Sequence, residues 1–570
     1  MLGLCFPPVG WWPLAWVALA AVGVAAVKAR SVWRMSLIVW VVWAVWWLVM
    51  IRWLMPVTVG GWIGLSLFMA VYTTTAIVIV AVVRRRWPQA WLTVLLPMAW
   101  ASLELLRSAF PEGGFGWLAL AHSQAAWRAG DGPVPVVQIA DLVGEHGVSL
   151  VVAMSSGLVA DAWLWWRERE PAAGLLRGFA SLSPRLLVVA GTVGAACIYG
   201  WTRPGPQVVP GTPAVSVAVI QTNVPQSNKD DPDPAVQRAI FGQMVDLTIE
   251  AQRSSEVPPE VYVWPETMVT VALNTEALAA YREHYPALLS YDTALRELAN
   301  RLDATLVVGA PVWLDWGPQQ TASGSMHWYG RGRNGAYVYR PTASGEPVAE
   351  VRYDKMHLVP FGEYIPGPAF VKRTVLGLFS PYDTDYTIQP GESSTAPVVL
   401  MQVDPASGQR HPLTAGLPIC FEDVVGPICR RMVVGDGQNR PGAAMLLNLT
   451  NDGWFGPSQN AQHLQIATLR SIENRVPMAR AVNTGISGFI DDRGVIQSTV
   501  EVGGLTQGVS HFAVDVLTLR EGPGQGGSLY RRWGRAPMWG VAAVTGLLGL
   551  TAAACSFRER RSRRRTAASE

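Results

Sequence analysis

The chain has 570 residues, 50% of them hydrophobic and only 15% charged, with a formal net charge of +3. Such a composition is too apolar for an ordinary soluble chain of several domains and indicates a membrane protein that carries a soluble part. The small net charge, with no groove-like pattern of basic and aromatic residues, excludes nucleic acid as a partner.

In chain order, the first predicted elements are apolar stretches close to the ~20 residues that a bilayer crossing needs. They cover roughly 11 to 27, 36 to 54, 59 to 83, 91 to 109, 143 to 165 and 185 to 201, and one more stands alone at 536 to 555. Most of the 26 tryptophans precede residue 205, as suits side chains that favour the bilayer interface. In the fourth stretch Glu104 and Arg107 are three apart, on one helical face where they can pair. Charges at that depth have two readings, a functional one and an ion pair that holds helices together.

The segment that follows has mixed polarity and many Gly and Pro residues. Strands are predicted over Ala214–Ile220, Val261–Trp264, Thr305–Gly309, Ala336–Tyr339, Pro397–Val403, Ala415–Ile419, Ala444–Asn448 and Val509–Val516. Helical patterns fall at 288 to 302 and 461 to 475. Strands alternating with helices predict a layered α/β domain. No internal repeat stands out. The predicted organisation is a transmembrane bundle of about six spans over 1–205, a soluble domain over 206–530, and a last span with a basic cytoplasmic tail over 531–570.

Lys28, Arg30 and Arg34, then Arg84, Arg85 and Arg86, then Arg167, Arg169, Arg177 and Arg185, and the tail from Arg558 to Arg565 fall on one side when the spans are threaded alternately. By the excess of Lys and Arg in cytoplasmic loops, that side is cytoplasmic and the soluble domain is extracytoplasmic. Arg531, Arg532 and Arg535 stand against this pattern, as a solvated collar or as contacts to lipid headgroups. The threading puts the N-terminus outside, and the turn at Pro7-Pro8 resembles a loop after a span, so a first helix is expected to be missing from this chain. No cleavable signal is evident.

The five cysteines have neither zinc-site spacing nor disulfide-scaffold density. Cys5, Cys197 and Cys555 lie in or near apolar spans and read as packing residues. Cys420 is different. It ends the apolar run from Ala415 at an expected strand-to-helix junction, with Glu422 close behind, where a nucleophile is commonly placed. Cys429, nine positions later, leaves a disulfide with it open. A free thiol needs a base beside it or a lowered pKa. Glu266, after the run Val261–Pro265, is a plausible base, and Lys355 would stabilise a thiolate and the oxyanion formed when a carbonyl is attacked. Taken singly, each has a bland reading as packing, a turn or a solvated charge.

Together the segments Val263–Glu266, Tyr353–Pro366 and Pro418–Glu422 resemble the three catalytic motifs of the carbon-nitrogen hydrolase (nitrilase) superfamily. The long motif around Lys355, with Asn451–Gly456, Gln462-His463 and Arg475–Pro477, is similar to its apolipoprotein N-acyltransferase branch. The resemblance runs over nearly the whole chain. It implies a multi-span α-helical membrane bundle plus an extracytoplasmic α/β nitrilase-like domain, an α-β-β-α sandwich. It also implies a bacterial inner-membrane enzyme, monomeric, with no cofactor and no metal. Cys420 would take an acyl chain from a phospholipid donor as a thioester, Glu266 would be the general base and Lys355 would hold the oxyanion. The acceptor implied is the α-amine of a diacylglyceryl-modified apolipoprotein.

Glu363 and Glu422 match further acidic positions that orient or assist the site, with a loop hydrogen bond as the plainer reading for Glu363. The resemblance includes Glu104, Arg107 and Trp117, for which structural and lipid-guiding roles both stand. Two positions depart from the pattern. Phe421 replaces a frequent Tyr after the nucleophile, and Asn228–Asp231 stands where Lys-Trp is frequent. A membrane-anchored amidase or nitrilase using the same Glu-Lys-Cys triad is the rival reading, and it would not require the long spans. A scaffold with an inactive hydrolase-like domain would be expected to lack a triad residue, and all three are present.

Overall fold

The computed structural model describes residues 1–111, 113–168, 175–203, 205, 214–229, 233–320, 326–342, 350–360, 362–364, 388–392, 398–403, 410–435, 442–519 and 527–569. Six helices come first: α1 (Ala20–Lys28), α2 (Val32–Met50), α3 (Val59–Arg86), α4 (Leu92–Arg107), α5 (Ala140–Glu168) and α6 (Leu175–Thr202). Ser31 and Thr58 start α2 and α3, their hydroxyls accepting the amides of Arg34 and Gly61. The capping Ser31 is why α2 begins earlier than the expected 36. The carboxylate of Asp161, on α5, does the same for α4 by accepting Leu92 N (3.2 Å) and Thr93 N (3.0 Å). The stretch expected from 143 starts at Ala140 and is broken at Gly144, whose φ of 73° is not helical.

Four of these segments, Val32–Met50, Val59–Arg86, Pro135–Glu168 and Ser181–Thr202, and a fifth at Ala536–Glu559, are long and apolar enough to cross a bilayer. Trp33, Leu37, Ile38, Val41, Val42 and Val45 stand exposed on α2. An outward apolar face of that kind needs lipid around it, and the chain is a multi-pass membrane protein. Lys28 pairs with Glu168, and Arg85 donates to the Ala29 carbonyl. These contacts gather the C-terminal ends of α1, α3 and α5, with their basic residues, at one end of the bundle.

Twelve strands among the described residues form two six-stranded sheets. The first has the order β12-β1-β2-β3-β4-β5, with β1 at Ala214–Gln221, β2 at Val261–Val263, β3 at Thr305–Gln320, β4 at Met326–Tyr339, β5 at Arg352–Asp354 and β12 at His511–Thr518. The second has the order β11-β10-β9-β8-β7-β6, with β6 at Val398–Val403, β7 at Arg410–Gly416, β8 at Met445–Thr450, β9 at Met478–Val482, β10 at Gly488–Ile490 and β11 at Ile496–Thr499. Read from β12 and from β6, both sheets pair antiparallel, parallel, parallel, antiparallel, antiparallel. The same plan is therefore built twice, a repeat invisible in the sequence because strand order survives when side chains do not.

The remaining helices are α7 (Gln226–Lys229), α8 (Pro234–Ser254), α9 (Thr275–His284), α10 (Leu289–Leu302), α11 (Gly426–Val434), α12 (Ser458–Asn474), α13 (Leu529–Trp533) and α14 (Ala536–Ser569). Sheet one is covered by α8 and α10 through Met244, Ala251, Tyr291 and Leu295, sheet two by α11 and α12, and β1 packs on β9 between them. The result is an α-β-β-α sandwich attached to a helical bundle, the fold class expected.

Two differences from the expected elements have clear causes. The strand expected over Ala415–Ile419 ends at Gly416, because Pro418 has no N–H to give a ladder and Ile419 makes only an isolated bridge to Leu449. The strands over Thr305–Gly309 and Ala336–Tyr339 extend to Gln320 and back to Met326 as one long hairpin. Pro397 and the 206–213 boundary lie outside the described residues.

Helix α12 is buried on every side although it carries Gln462, His463, Gln465, Arg470 and Glu473. It lies between sheet two and α5, and its polar groups bond the bundle. Gln465 donates to Ala125 O (3.1 Å), Arg470 pairs with Glu145 (2.7 Å), and Glu473 accepts the amide of Glu145 (2.9 Å). Of the expected basic collar, Arg531 donates to Asn474 O (2.6 Å) and Arg535 to Glu145 (3.2 Å). Both are spent on joining the two parts.

Candidate active site

Three chain reversals bring the site together. Glu266 lies three residues beyond β2, Lys355 directly follows β5, and Cys420 follows β7 at the head of a 3-10 turn, Cys420–Asp423. All three are buried. Cys420 has a φ of +50°, left-handed backbone that a non-glycine residue rarely adopts. Strain of this kind persists only where the surroundings enforce it, and it turns the thiol out of the strand direction. Both Cys420 and Cys429 are free thiols, so the disulfide left open by their spacing is absent.

The Lys355 ammonium contacts Glu266 Oε1 at 3.1 Å and Glu363 Oε1 at 2.7 Å. Burial alone would lower its pKa, but the charges of Glu266 and Glu363 outweigh burial and hold it well above the ordinary lysine value. Glu266 also accepts from Asn334 Nδ2 at Oε1 (2.6 Å) and from Asn451 N at Oε2 (3.0 Å). Glu363 returns its second oxygen to Val359 N (2.8 Å), so it makes the loop hydrogen bond and the lysine contact together. For the Cys420 thiol, burial and then the Glu266 charge push the pKa well above its usual value, against Lys355 and the Thr450 side chain. The resting nucleophile is a neutral thiol.

Glu422 ties two of the segments to each other. One oxygen accepts Tyr353 OH (2.8 Å), Met356 N (2.8 Å) and His357 N (3.0 Å), and the other accepts Ile419 N (2.8 Å). Burial pushes its carboxyl up to about 7 in spite of those four donors. Asp423, next in the turn, accepts from His463 Nε2 (2.8 Å) and from Arg480, while His463 Nδ1 meets Asp452 (3.0 Å). Burial and Arg480 act to lower the His463 pKa. Asp423 and Asp452 overcome them and raise it. Sequence reading marks Asn451–Gly456 and His463 as motif residues without roles, and it misses Asn334 and Arg480. Nothing in a buried Arg480 within β9 signals a partner fifty-seven residues away in sequence.

Phe421 is the centre of an aromatic column. Its ring is parallel to Trp117 (6.5 Å, 6°) and to His357 (5.9 Å, 15°), and Phe115 stacks on the far side of Trp117 (5.9 Å, 14°). At Gly113 a Cβ would come within 1.9 Å of His357 Cε1, and φ there is +84°, so the loop after α4 closes on the column only with glycine. Trp117 is fixed by its indole N–H to Gln462 Oε1 (2.7 Å) and by Arg107, which holds the carbonyls of Phe115 and Trp117. Glu104 accepts Trp100 Nε1 (2.7 Å) and Leu120 N (2.9 Å). The expected Glu104–Arg107 ion pair is therefore not formed, because each side chain is drawn to the loop between α4 and α5. Of the departing segment, Lys229 reaches Thr267 and the Glu266 carbonyl (3.4 Å), and Asp230 and Asp231 lie outside the described residues.

The column sets a testable requirement. An aromatic pair is worth about 0.5–1.5 kcal/mol beyond its buried area, and Phe421→Leu removes two. That variant is expected to be less stable by about 1–3 kcal/mol from the two lost pairs, read as a lowered thermal unfolding midpoint. Phe421→Tyr keeps both ring contacts and stays near the parent midpoint.

The thiol, Glu266 and Lys355 line one cavity of about 860 Å³. Its opposite wall is apolar and comes from α3, including Ile63, Leu67 and Phe68. Ile63 and Phe68 are exposed, and α3 is long and apolar enough to cross a bilayer, so the cavity borders a membrane-spanning segment.

Residues 1–158 match the family model described as apolipoprotein N-acyltransferase N-terminal domain, and residues 216–522 match carbon-nitrogen hydrolase. The apolipoprotein N-acyltransferase of Geobacter metallireducens is 30% identical over 510 residues, 88% of this chain and 81% of its own. That of Bordetella bronchiseptica is 30% identical over 464 residues, 81% of this chain and 73% of its own. Among solved structures, an amidase of the nitrilase superfamily from Nesterenkonia AN1 is 16% identical, with a TM-score of 0.35, covering 58% of this chain and 98% of its own.

Proposed function

The chain belongs to the apolipoprotein N-acyltransferase family, and from that we propose that it moves an acyl chain from a phospholipid to the N-terminal α-amine of a diacylglyceryl-modified apolipoprotein, through a thioester on Cys420. The observation that carries this reading is the cavity that runs from the thiol to α3, a helix long and apolar enough to cross a bilayer. Each buried CH₂ is worth about 0.8 kcal/mol, so neither substrate leaves the bilayer cheaply and the thiol must meet both at the membrane. The amidase reading is not favoured, because the relatives that span most of the chain are named acyltransferases.

Because the thiol rests neutral, it is deprotonated as it attacks. Glu266 takes the Sγ proton, sulfur adds to the ester carbonyl of the donor, and Lys355 faces the oxyanion. Collapse breaks the ester C–O bond, Glu266 returns the proton to the leaving oxygen, and a lysophospholipid departs. Glu363 keeps Lys355 in place, and Glu422 keeps the Lys355 loop against the Cys420 turn. Glu104, Arg107 and Trp117 are positioning residues that fix the aromatic column. The domains are the bundle over 1–205, the catalytic sandwich over 206–530 and the last span with its tail over 531–570. The basic bundle end is cytoplasmic by the charge excess, which puts the sandwich on the periplasmic side of the bacterial inner membrane.

Mass spectrometry of the purified protein mixed with phospholipid tests this reading. A hydroxylamine-sensitive acyl mass is expected on the Cys420 peptide and is expected to vanish in Cys420→Ala. Acylation elsewhere, or none with any phospholipid, overturns it.

A further inference from the structure

The base and the nucleophile stand on different sheets. Glu266 follows β2 of sheet one, where Lys355 and Asn334 hold its Oε1 atom, whereas Cys420 follows β7 of sheet two. Asn451, directly after β8 of sheet two, crosses between them, its N–H donating to Glu266 Oε2 at 3.0 Å. The distance from base to thiol therefore depends on how firmly the Asn451 turn is held against the Cys420 turn. Their backbones are joined at Leu449 N to Pro418 O (3.2 Å), before either turn begins. Beyond that point a ring of buried side chains makes the join. Asp423, in the Cys420 turn, and Asp452, next to Asn451, both set Oδ1 against His463, at 2.8 Å from Nε2 and 3.0 Å from Nδ1. Both turn Oδ2 to Arg480, whose Nη1 contacts Asp423 and whose Nη2 lies 3.4 Å from Asp452. All four side chains are buried.

Two carboxylates brought together out of water repel, and they stay paired only while other groups bridge them. Arg480 divides Nη1 between Asp423 and Asn448 and reaches Asp452 only at the longer distance. His463 makes a short contact to each aspartate, and its flat ring carries the two nitrogens at a fixed spacing. Gln459, one turn back on α12, lies 3.0 Å from Nδ1 and steadies the ring. We propose that His463 is a positioning residue that sets the separation of the Cys420 thiol and the Glu266 carboxylate, by holding the Asp423 and Asp452 turns at a fixed spacing. Both of its nitrogens face aspartates, so it takes no part in the proton's passage between sulfur and Glu266. Its neighbour Gln462 has a separate task, accepting Trp53 Nε1 (3.2 Å) and Trp117 Nε1 (2.7 Å) at Oε1.

The inference rests on the acyl-transfer reading for the reaction it serves, and its test is read on the thiol as well. Full-length protein is treated with iodoacetamide across a pH series, and alkylation of the Cys420 peptide is followed by mass spectrometry. Glu266→Gln moves this profile to lower pH, and the size of the move reports how closely the carboxylate stands to the thiol. Gln at 463 reaches only one of the two aspartates, and in that background the move is expected to shrink by about half or more, the mark of a coupled pair. Thioester formation from phospholipid in His463→Gln is expected to slow by about tenfold or more, since a misplacement of about 1 Å can cost 10²-fold. Gln462→Ala, one position away, is expected to lower the unfolding midpoint and to leave the move at its parent size. A move of parent size in His463→Gln, an equal shrinkage in Gln462→Ala, or an unchanged rate of thioester formation would make His463 a structural support only and overturn the proposal. Absence of any move on Glu266→Gln in the parent background would overturn it too. Asp423→Ala cuts the same link at its other end and is read in the same way, so the test stands if His463→Gln does not fold. A parent protein that forms no thioester with any phospholipid would instead defeat the acyl-transfer reading and leave the alkylation result unaffected.

Discussion

Glu266→Gln is expected to lower acyl transfer by about 10²–10⁴-fold, the usual contribution of a positioned base, while making the Cys420 thiol react faster with a small alkylating reagent. The two effects oppose each other because one carboxylate does two things. Its charge, next after burial, holds the thiol above the ordinary cysteine range, and Lys355 acts the other way. Removing the negative charge leaves the ammonium in place, so the thiolate becomes easier to form. The alkylation profile therefore moves to lower pH. Turnover is lost all the same, because no group remains to take the proton as sulfur attacks and to return it to the leaving oxygen. Gln cannot accept at both former oxygens. Its amide must turn one N–H toward either the Asn334 amide or Asn451 N, which costs about 1–3 kcal/mol for the mismatched pair. Thermal unfolding records that loss separately. An alkylation profile that stays put or moves to higher pH would show that Glu266 does not control the thiol.

How far this site can be read from the sequence depends on what each residue's neighbours in the chain reveal. Glu266 and Cys420 end short apolar runs and Lys355 stands in a long distinct motif, so their candidacy is legible without coordinates. The membrane helices are legible because lipid-facing length is a property of one segment at a time. Long-range pairing is not. β5 and β10 have only three residues, too few for any period to register, yet β5 places Lys355. Helix α12 looks solvated, with Gln462, His463 and Arg470 along it. It is buried because the bundle covers the face that an isolated domain would show to water, a fact held in Glu145, Trp53 and Trp117. The failed Glu104–Arg107 pair has the same origin. Helical spacing lets the two meet, and the backbone of a loop that the spacing says nothing about competes for both.

Lys355→Met is the more drastic change, with an expected loss of thioester formation beyond the about 10²–10³-fold that removal of one oxyanion donor costs. The excess follows from the two carboxylates the ammonium separates. Glu266 and Glu363 both contact Nζ, at 3.1 and 2.7 Å, and the lysine itself is fully buried. Without the cation the two carboxylates face each other uncompensated and repel. Glu266 is pushed from the place it needs as base, so the variant loses the oxyanion contact and part of the base together. Adding Glu363→Gln removes one of the repelling charges, and the double variant should recover part of the rate. Breaking a buried pair destabilises by about 3–5 kcal/mol, so unfolding is followed in parallel and rates are compared below the midpoint. A double variant no faster than Lys355→Met would mean that Lys355 acts on the oxyanion alone and leaves the base unaffected.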